Sequence, residues 1–183
     1  MKAVTAVLTV LSGLLLGSCT THEEGTALGA AASEPTGTSQ VVPGETDPCG
    51  LLGQVQRDSL GVRDGESVDD VQLDDAALCR WRSQEFNGGT FRGGVLPNKY
   101  SLAQMRRSYE SPRDFSVAGL PAVSGSIGGA TGELSCWTFA EMPDGRLADA
   151  SFWAGKADGM THAVACGRAT EALAMIVETM QSR

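Results

Sequence analysis

Five cysteines stand in 183 residues, and their placement constrains the chain more than any other feature. The first, Cys19, closes an apolar run from Ala3 to Leu16 that follows Met1-Lys2. A basic start, a hydrophobic stretch and a small-residue boundary have the layout of an export signal, and the run is short of the ~20 apolar residues of a membrane-spanning helix. Cys49, Cys79, Cys136 and Cys166 fall in the remainder. An even number of cysteines in an exported domain points to disulfides. Zinc is the rival use of four thiols. There is no C-x-x-C pair, however, and His162 stands apart as the lone histidine of this region, so no metal site is expected. Four cysteines allow three pairings. Cys49 with Cys79 and Cys136 with Cys166 is the favoured one, because each closes a moderate loop between successive elements. On the chain-entropy account a loop of roughly 30 residues contributes about 3–4 kcal/mol.

The rest of the leader supplies an address. Leu16-Gly17-Ser18-Cys19 looks like a bacterial lipobox. That resemblance implies cleavage before Cys19, diacylglycerol in thioether linkage on its sulfur, and acylation of the new N-terminus. Several acyl chains on one residue hold a domain at a bilayer, because each buried methylene is worth about 0.8 kcal/mol and a single chain binds only marginally. From Thr20 to Asp47 the chain has no aromatic residue, no Lys and no Arg, and is rich in Thr, Gly, Ser, Ala, Glu and Pro. Such a segment buries too little apolar surface to offset its ordering and reads as a tether. His22, Glu23 and Glu24 within it read as solvated groups. Residues 1–18 are therefore expected to be a lipoprotein signal peptide, 19–47 the lipidated cysteine and disordered tether, and 48–183 a disulfide-stapled extracytoplasmic domain. The expected location is the outer face of the cell membrane, reached through the lipid on Cys19. A net charge of −8 without a basic stripe argues against a nucleic-acid partner.

Within the domain, Asp47-Pro48 offers an N-cap and a first-turn proline, predicting a short helix to about Gln56. Asp58 to Asp75 is polar with no clear period. Ala76 to Ser83 alternates as a strand, with Leu78, Arg80 and Arg82 on one face and Cys79 and Trp81 on the other. Thr90 to Val95 is a weaker strand. Ser101 to Tyr109 places Leu102, Met105 and Tyr109 at helical spacing beneath Arg106 and Arg107. Phe115 to Gly132 reads as a strand followed by a Gly-rich loop. Met142-Pro143-Asp144-Gly145-Arg146 is a type I turn with Gly in the left-handed position, closing a hairpin across Glu133 to Gly155. Asp158 to about Gln181 is the longest helix, with Cys166, Ala169, Leu173, Ile176 or Val177, and Met180 on one stripe. The expected fold class is α+β: an antiparallel sheet of about four to five strands with a long C-terminal helix and short helices packed on it.

No catalytic motif emerges. GSIGGATG lacks the spacing of a phosphate loop and no Lys follows it. No G-x-S-x-G surrounds Ser124 or Ser126. Adjacent pairs such as Asp69-Asp70 and Asp74-Asp75 diverge on a strand and are solvated in a loop. The chain is not expected to be an enzyme or to carry a cofactor.

Leu-Gly-Ser-Cys at 16–19, the Thr-Gly-Ser-rich tether, Asp47-Pro48-Cys49 with Leu51-Leu52, Cys79-Arg80-Trp81, Gly-Leu-Pro at 119–121, Cys136, and Cys166 with Ala169 and Leu173-Ala174 form a pattern. It resembles the actinobacterial DPC and C-x-W lipoproteins, a family of unknown function. Gly-Leu-Pro departs from the family's Gly-Leu-Gly. The resemblance implies helices packed on an antiparallel sheet, akin to extracytoplasmic sensor domains of actinobacterial Ser/Thr kinases, and it transfers no catalytic residue.

Register then suggests a binding face. If Met142 pairs with Arg146 and Cys136 faces the helix bearing Cys166, alternation sends Trp137, Phe139, Leu147 and Trp153 to the opposite side, with Asp149 and Ser151 among them. A buried carboxylate is costly unless paired. Trp137, Phe139 and Trp153 are therefore expected to form a partly open aromatic groove with Asp149 and Ser151 at its rim, flanked by Arg106 or Arg107. The rival expectation is that the helix from Pro48 or from Ser101 covers this face as a second core. A sensor-like binding module would seat a small molecule or lipid there, and a structural lipoprotein would dock an envelope protein partner.

Overall fold

The computed structural model describes residues 47–73, 76–126, 134–154 and 159–183. The expected leader, Cys19, all of the tether before Asp47, the Asp74-Asp75 pair and most of the Gly-rich stretch after Ser126 lie outside the described residues.

Alternating apolar positions build most of the strands: β1 (Glu66–Asp70), β2 (Ala76–Arg82), β3 (Thr90–Leu96), β4 (Glu110–Val117), β5 (Leu120–Ser126), β6 (Ser135–Glu141) and β7 (Leu147–Trp153). Three helices join them: α1 (Gln54–Leu60), α2 (Leu102–Ser108) and α3 (His162–Gln181). The strands form one antiparallel seven-stranded sheet in the order β1-β2-β3-β7-β6-β5-β4. The expected count of four to five was low, because both outer strands lack an apolar alternation. β1 reads Glu-Ser-Val-Asp-Asp and buries only Asp70, while β4 is exposed along most of its length. Edge strands carry polar and charged residues that discourage further pairing, so they do not advertise themselves as strands.

The chain makes two meanders, β1-β2-β3 and β4-β5-β6-β7, joined where β3 pairs with β7. To pass from β3 in the middle of the sheet to β4 at its edge, the chain crosses one face through α2. From β7 it crosses the other face through α3, which packs on β6, β7 and β3. Ser101 Oγ accepts from the Gln104 amide and caps α2. Helix α3 starts at His162 rather than at Asp158. Gly159 takes a left-handed φ of +75°, and Thr161 supplies the cap by accepting from the Val164 amide. The expected helix from Pro48 is divided: a 3-10 turn at Pro48–Leu51 stops at extended Leu52, and α1 follows.

The β6–β7 hairpin has the expected register, with Cys136 opposite Phe152, Thr138 opposite Ala150 and Ala140 opposite Ala148. Its turn closes through Gly145 at φ +83°. On this side, Ala165, Ala169, Ala172, Leu173, Ile176 and Val177 of α3 lie on Ala140, Ala148 and Ala150, all in one buried cluster. Small residues on both layers let helix and sheet approach closely. Thr138 Oγ1 lies 2.8 Å from the Ala150 carbonyl and 3.3 Å from that of Ala169, linking the layers. Disulfides Cys49–Cys79 and Cys136–Cys166 staple the Pro48 turn and α3 to this same face.

Candidate functional site

The opposite face is covered by much less. Helix α2 has seven residues and packs on β4, β5 and β6. Leu102 and Met105 close over Phe139, Leu147 and Val123 in a second buried cluster. A seven-residue helix spans only about 10 Å, and the sheet beyond it is left with a recess of about 260 Å³. One wall is α2 and its flanks, with Tyr100, Gln104, Met105, Ser108 and Tyr109; the other is Asp70 and Leu73 at the end of β1 and the turn after it; Arg92, Trp137 and Trp153 rise from the sheet between them.

The aromatic groups interlock. Trp137 and Trp153 meet edge to face with centroids 5.2 Å apart at 86°, and Tyr109 lies 5.7 Å from Trp137 and 5.3 Å from Phe139. Gly125 permits this, since a Cβ there would stand 2.6 Å from Tyr109 Cβ. The Arg92 guanidinium sits 5.1 Å over the Trp153 ring, a cation–π contact, and its Nη2 is ion-paired with Asp70.

Cross-strand register explains the polar floor. Arg80, Arg92, Ser151, Trp137 and Gly125 stand opposite one another on β2, β3, β7, β6 and β5. Arg80 turns to Glu66 at 2.5 Å at the sheet edge. Ser151 is 1% exposed and Asp149, two residues along, is also 1% exposed. Among the described residues no hydrogen-bond partner reaches Arg92 Nε, Asp149 Oδ1 or Ser151 Oγ. Burial pushes the Asp149 carboxyl up to about 7, with Arg92 pulling it back. Burial lowers the Arg92 guanidinium, opposed by the charge of Asp149, and raises the Tyr109 phenol.

The five residues expected to form the binding face, Trp137, Phe139, Asp149, Ser151 and Trp153, do share one side of the sheet. Only Trp137 and Trp153 line the recess; Phe139 is wholly buried. Asp149 and Ser151 are not at a rim. Strand β7 is the central strand of seven, flanked by β3 and β6, so its polar side chains are covered from both sides and lie under the floor. Both rival expectations meet here: the helix after Ser101 forms a second core over one part of the face and leaves the other part open. The Pro48 segment packs on the α3 side, with Leu51 and Leu52 in that core. Arg106 and Arg107 do not line the recess, and Arg106 is ion-paired with Asp114 of β4. The sequence reading missed Arg92, Asp70, Gln104 and Ser108. Arg92 had a signal, being the only charged residue in Thr90–Leu96, beside two glycines.

His162 is exposed, with Nε2 3.6 Å from Sγ of Cys166, which is already in a disulfide. Among the described residues no group of three or more His, Cys, Asp or Glu is placed to hold a metal ion. No helix among them is long and apolar enough to cross a membrane.

A family model described as Protein of unknown function (DUF3558) matches residues 14–179. No curated protein and no solved structure matches the chain.

Proposed function

The chain belongs to the DUF3558 family of proteins of unknown function, and from that premise we propose that it is a lipid-anchored extracytoplasmic binding module whose ligand seats in the recess beside α2. The observation that carries this reading is the recess itself. Two indoles, two phenols and one half-shielded guanidinium converge on about 260 Å³ beside a helix too short to cover them. A concave site with aromatic walls and a few convergent polar groups is the usual form of a small-molecule site.

Binding rather than catalysis fits the groups present. A carboxyl poised near 7 has the profile of a general acid or base. Asp149, however, is wholly buried and is not on the lining, so its charge acts on Arg92 and does not reach a ligand directly. The anchoring part of the proposal rests on Leu16-Gly17-Ser18-Cys19.

Each part has its own test. Cys19→Ala is expected to release the protein from the membrane fraction or to leave unprocessed precursor there; a processed, membrane-bound variant refutes the anchor. For the recess, ligand-observed NMR with a mixed fragment set compares the parent with Gln104→Trp, which fills the mouth from an exposed position of α2. Fragments that bind the parent and lose binding in the variant support the site. A set in which nothing responds to Gln104→Trp refutes it.

A further inference from the structure

We infer that the recess is built for one uncharged, polyhydroxylated ring, the size of a single sugar unit. The inference rests on the recess being the binding site and names its ligand class.

Charge is the first argument. Arg92 and Asp70 neutralise each other at the wall of the recess, and no other charged side chain among the described residues lines it. An entering anion would face Asp70 and, below the floor, Asp149, which is coupled to Arg92. An entering cation would face Arg92. It would also find the Trp153 ring, the natural seat for a cation, already occupied by that guanidinium at 5.1 Å. A ligand of either sign therefore breaks a balance that the protein has already struck within itself.

Hydrogen-bonding capacity is the second. It comes from α2 rather than from Arg92, whose Nε, partnerless among the described residues, is buried out of reach of a ligand. Gln104 brings an amide that both donates and accepts, and Ser108 Oγ donates to the Gln104 carbonyl at 3.1 Å, which leaves its lone pairs to accept. Donors and acceptors are thus both present along the α2 wall. A hydroxyl is both donor and acceptor, so neighbouring hydroxyls on one ring answer such a lining without any formal charge.

Shape is the third. Trp137 and Trp153 stand at 86° to each other, forming a corner rather than a slot, so a flat aromatic ligand could stack on only one of them. The Trp137 ring, which carries no guanidinium, attracts C–H groups polarised by adjacent oxygens. The volume of about 260 Å³ falls below the ~300–1,000 Å³ of sites for drug-sized ligands, and suits one ring rather than a chain of them.

The experiment uses the full-length protein in detergent, with saturation-transfer NMR and calorimetry on four probes: D-glucose, N-acetyl-D-glucosamine, benzoate and choline. Each is measured on the parent, on Gln104→Trp and on Ser108→Leu, both altered at exposed lining positions, with circular dichroism to show that the variants are folded. At least one of the two sugars is expected to bind the parent and to lose at least tenfold in affinity in both variants, while benzoate and choline show no variant-sensitive binding. Benzoate or choline binding that responds to the variants, without a sugar that does so, overturns the ligand class and leaves the recess standing as a site. Sugar binding that is indifferent to both variants overturns the inference, because the contact is then elsewhere. If no probe responds, the ligand class falls; if the mixed fragments are silent as well, the recess reading falls with it.

Discussion

The two faces of this sheet are made by the same strands, and they are opposite in character. Toward α3 the strands present Cys136, Thr138, Ala140, Ala148, Ala150 and Phe152, all wholly buried. Toward α2 the alternate positions present Trp137, Phe139, Asp149, Ser151, Trp153 and Arg92, three of which carry a buried polar atom without a partner among the described residues. The strands are shared, so the difference lies in the residues at alternate positions and in the length of the helix laid over each face. Both disulfides are on the α3 side. An unpartnered buried polar group costs about 1–3 kcal/mol, and each 30-residue disulfide loop contributes roughly 3–4 kcal/mol on the chain-entropy account. Among the described residues the α3 side has two unpartnered polar atoms of its own, Trp81 Nε1 and Arg168 Nε, but it also carries both covalent staples, whereas the α2 side has three, an open recess and no staple.

The largest test of this division is removal of a staple. Cys136→Ala with Cys166→Ala is expected to lower stability by about 3–4 kcal/mol in urea titrations, a large share of a typical domain's ~5–15 kcal/mol. Ala at both positions keeps the small-residue packing of that layer. A loss under about 1 kcal/mol would mean that the α3 face does not depend on its covalent bond.

The next test takes the cost out of the other face. Asp149 binds its proton more tightly in the folded chain than in the unfolded one, since burial raises it from an ordinary 3.8 to about 7. The folded state thus holds more protons between those values. Its contribution is favourable below about pH 4 and is lost as pH rises toward 7, after which it stays constant. Asp149→Asn removes this dependence. At pH 8 the variant is expected to be more stable than the parent by on the order of 2–3 kcal/mol, the linkage limit of roughly 4 reduced by the unpartnered amide. At pH 4, where the linkage gain is gone and the unpartnered amide remains, the variant is expected to be less stable than the parent by about 1–2 kcal/mol. Glu66 and Asp144, which arginine partners hold below their usual range, work in the opposite sense at low pH, but they are common to both proteins and cancel in the difference. A parent and variant with parallel pH profiles would show that Asp149 is not desolvated as its position implies.

The two faces also differed in how far they could be read in the sequence. The hairpin register followed from Met142-Pro143-Asp144-Gly145-Arg146, because one turn geometry sets every pair of the ribbon. From that register came the separation of Cys136 from Trp137, and with it the two-faced sheet. The disulfide pairs followed from loop length and the Ala-rich stripe of α3. What escaped was whatever depends on distant strands. Asp149 and Ser151 looked like rim residues while the hairpin stood alone, and became floor once β3 paired with β7. β1 and β4 escaped because an edge strand needs no apolar period. Arg92 and Asp70 meet only because β1 and β3 flank β2, a proximity that no local pattern records.

The smallest test compares two glycines, one beneath each helix. A Cβ on Gly93 would stand 2.6 Å from the Asp149 carbonyl and 2.8 Å from Ile176 Cδ1. Strand β3 is bonded on both sides there and α3 lies above, so nothing can move aside, and Gly93→Ala is expected to cost about 2–3 kcal/mol. A Cβ on Gly125 would meet Tyr109 Cβ at 2.6 Å, at the junction of α2 and β4. That junction can yield. β4 is an edge strand with a register shift between Glu110 and Arg113, and it is bonded only to β5. Gly125→Ala is therefore expected to cost about 1 kcal/mol, the low end for overpacking. The same small shift should draw Tyr109 from Trp137 and widen the recess, so that acrylamide quenches the indole fluorescence more strongly than in the parent. Trp81, only 1% exposed on the α3 side, contributes little to that change. If Gly125→Ala proves as damaging as Gly93→Ala, the α2 face is as rigidly packed as the other, and the contrast between a structural face and an adaptable one fails.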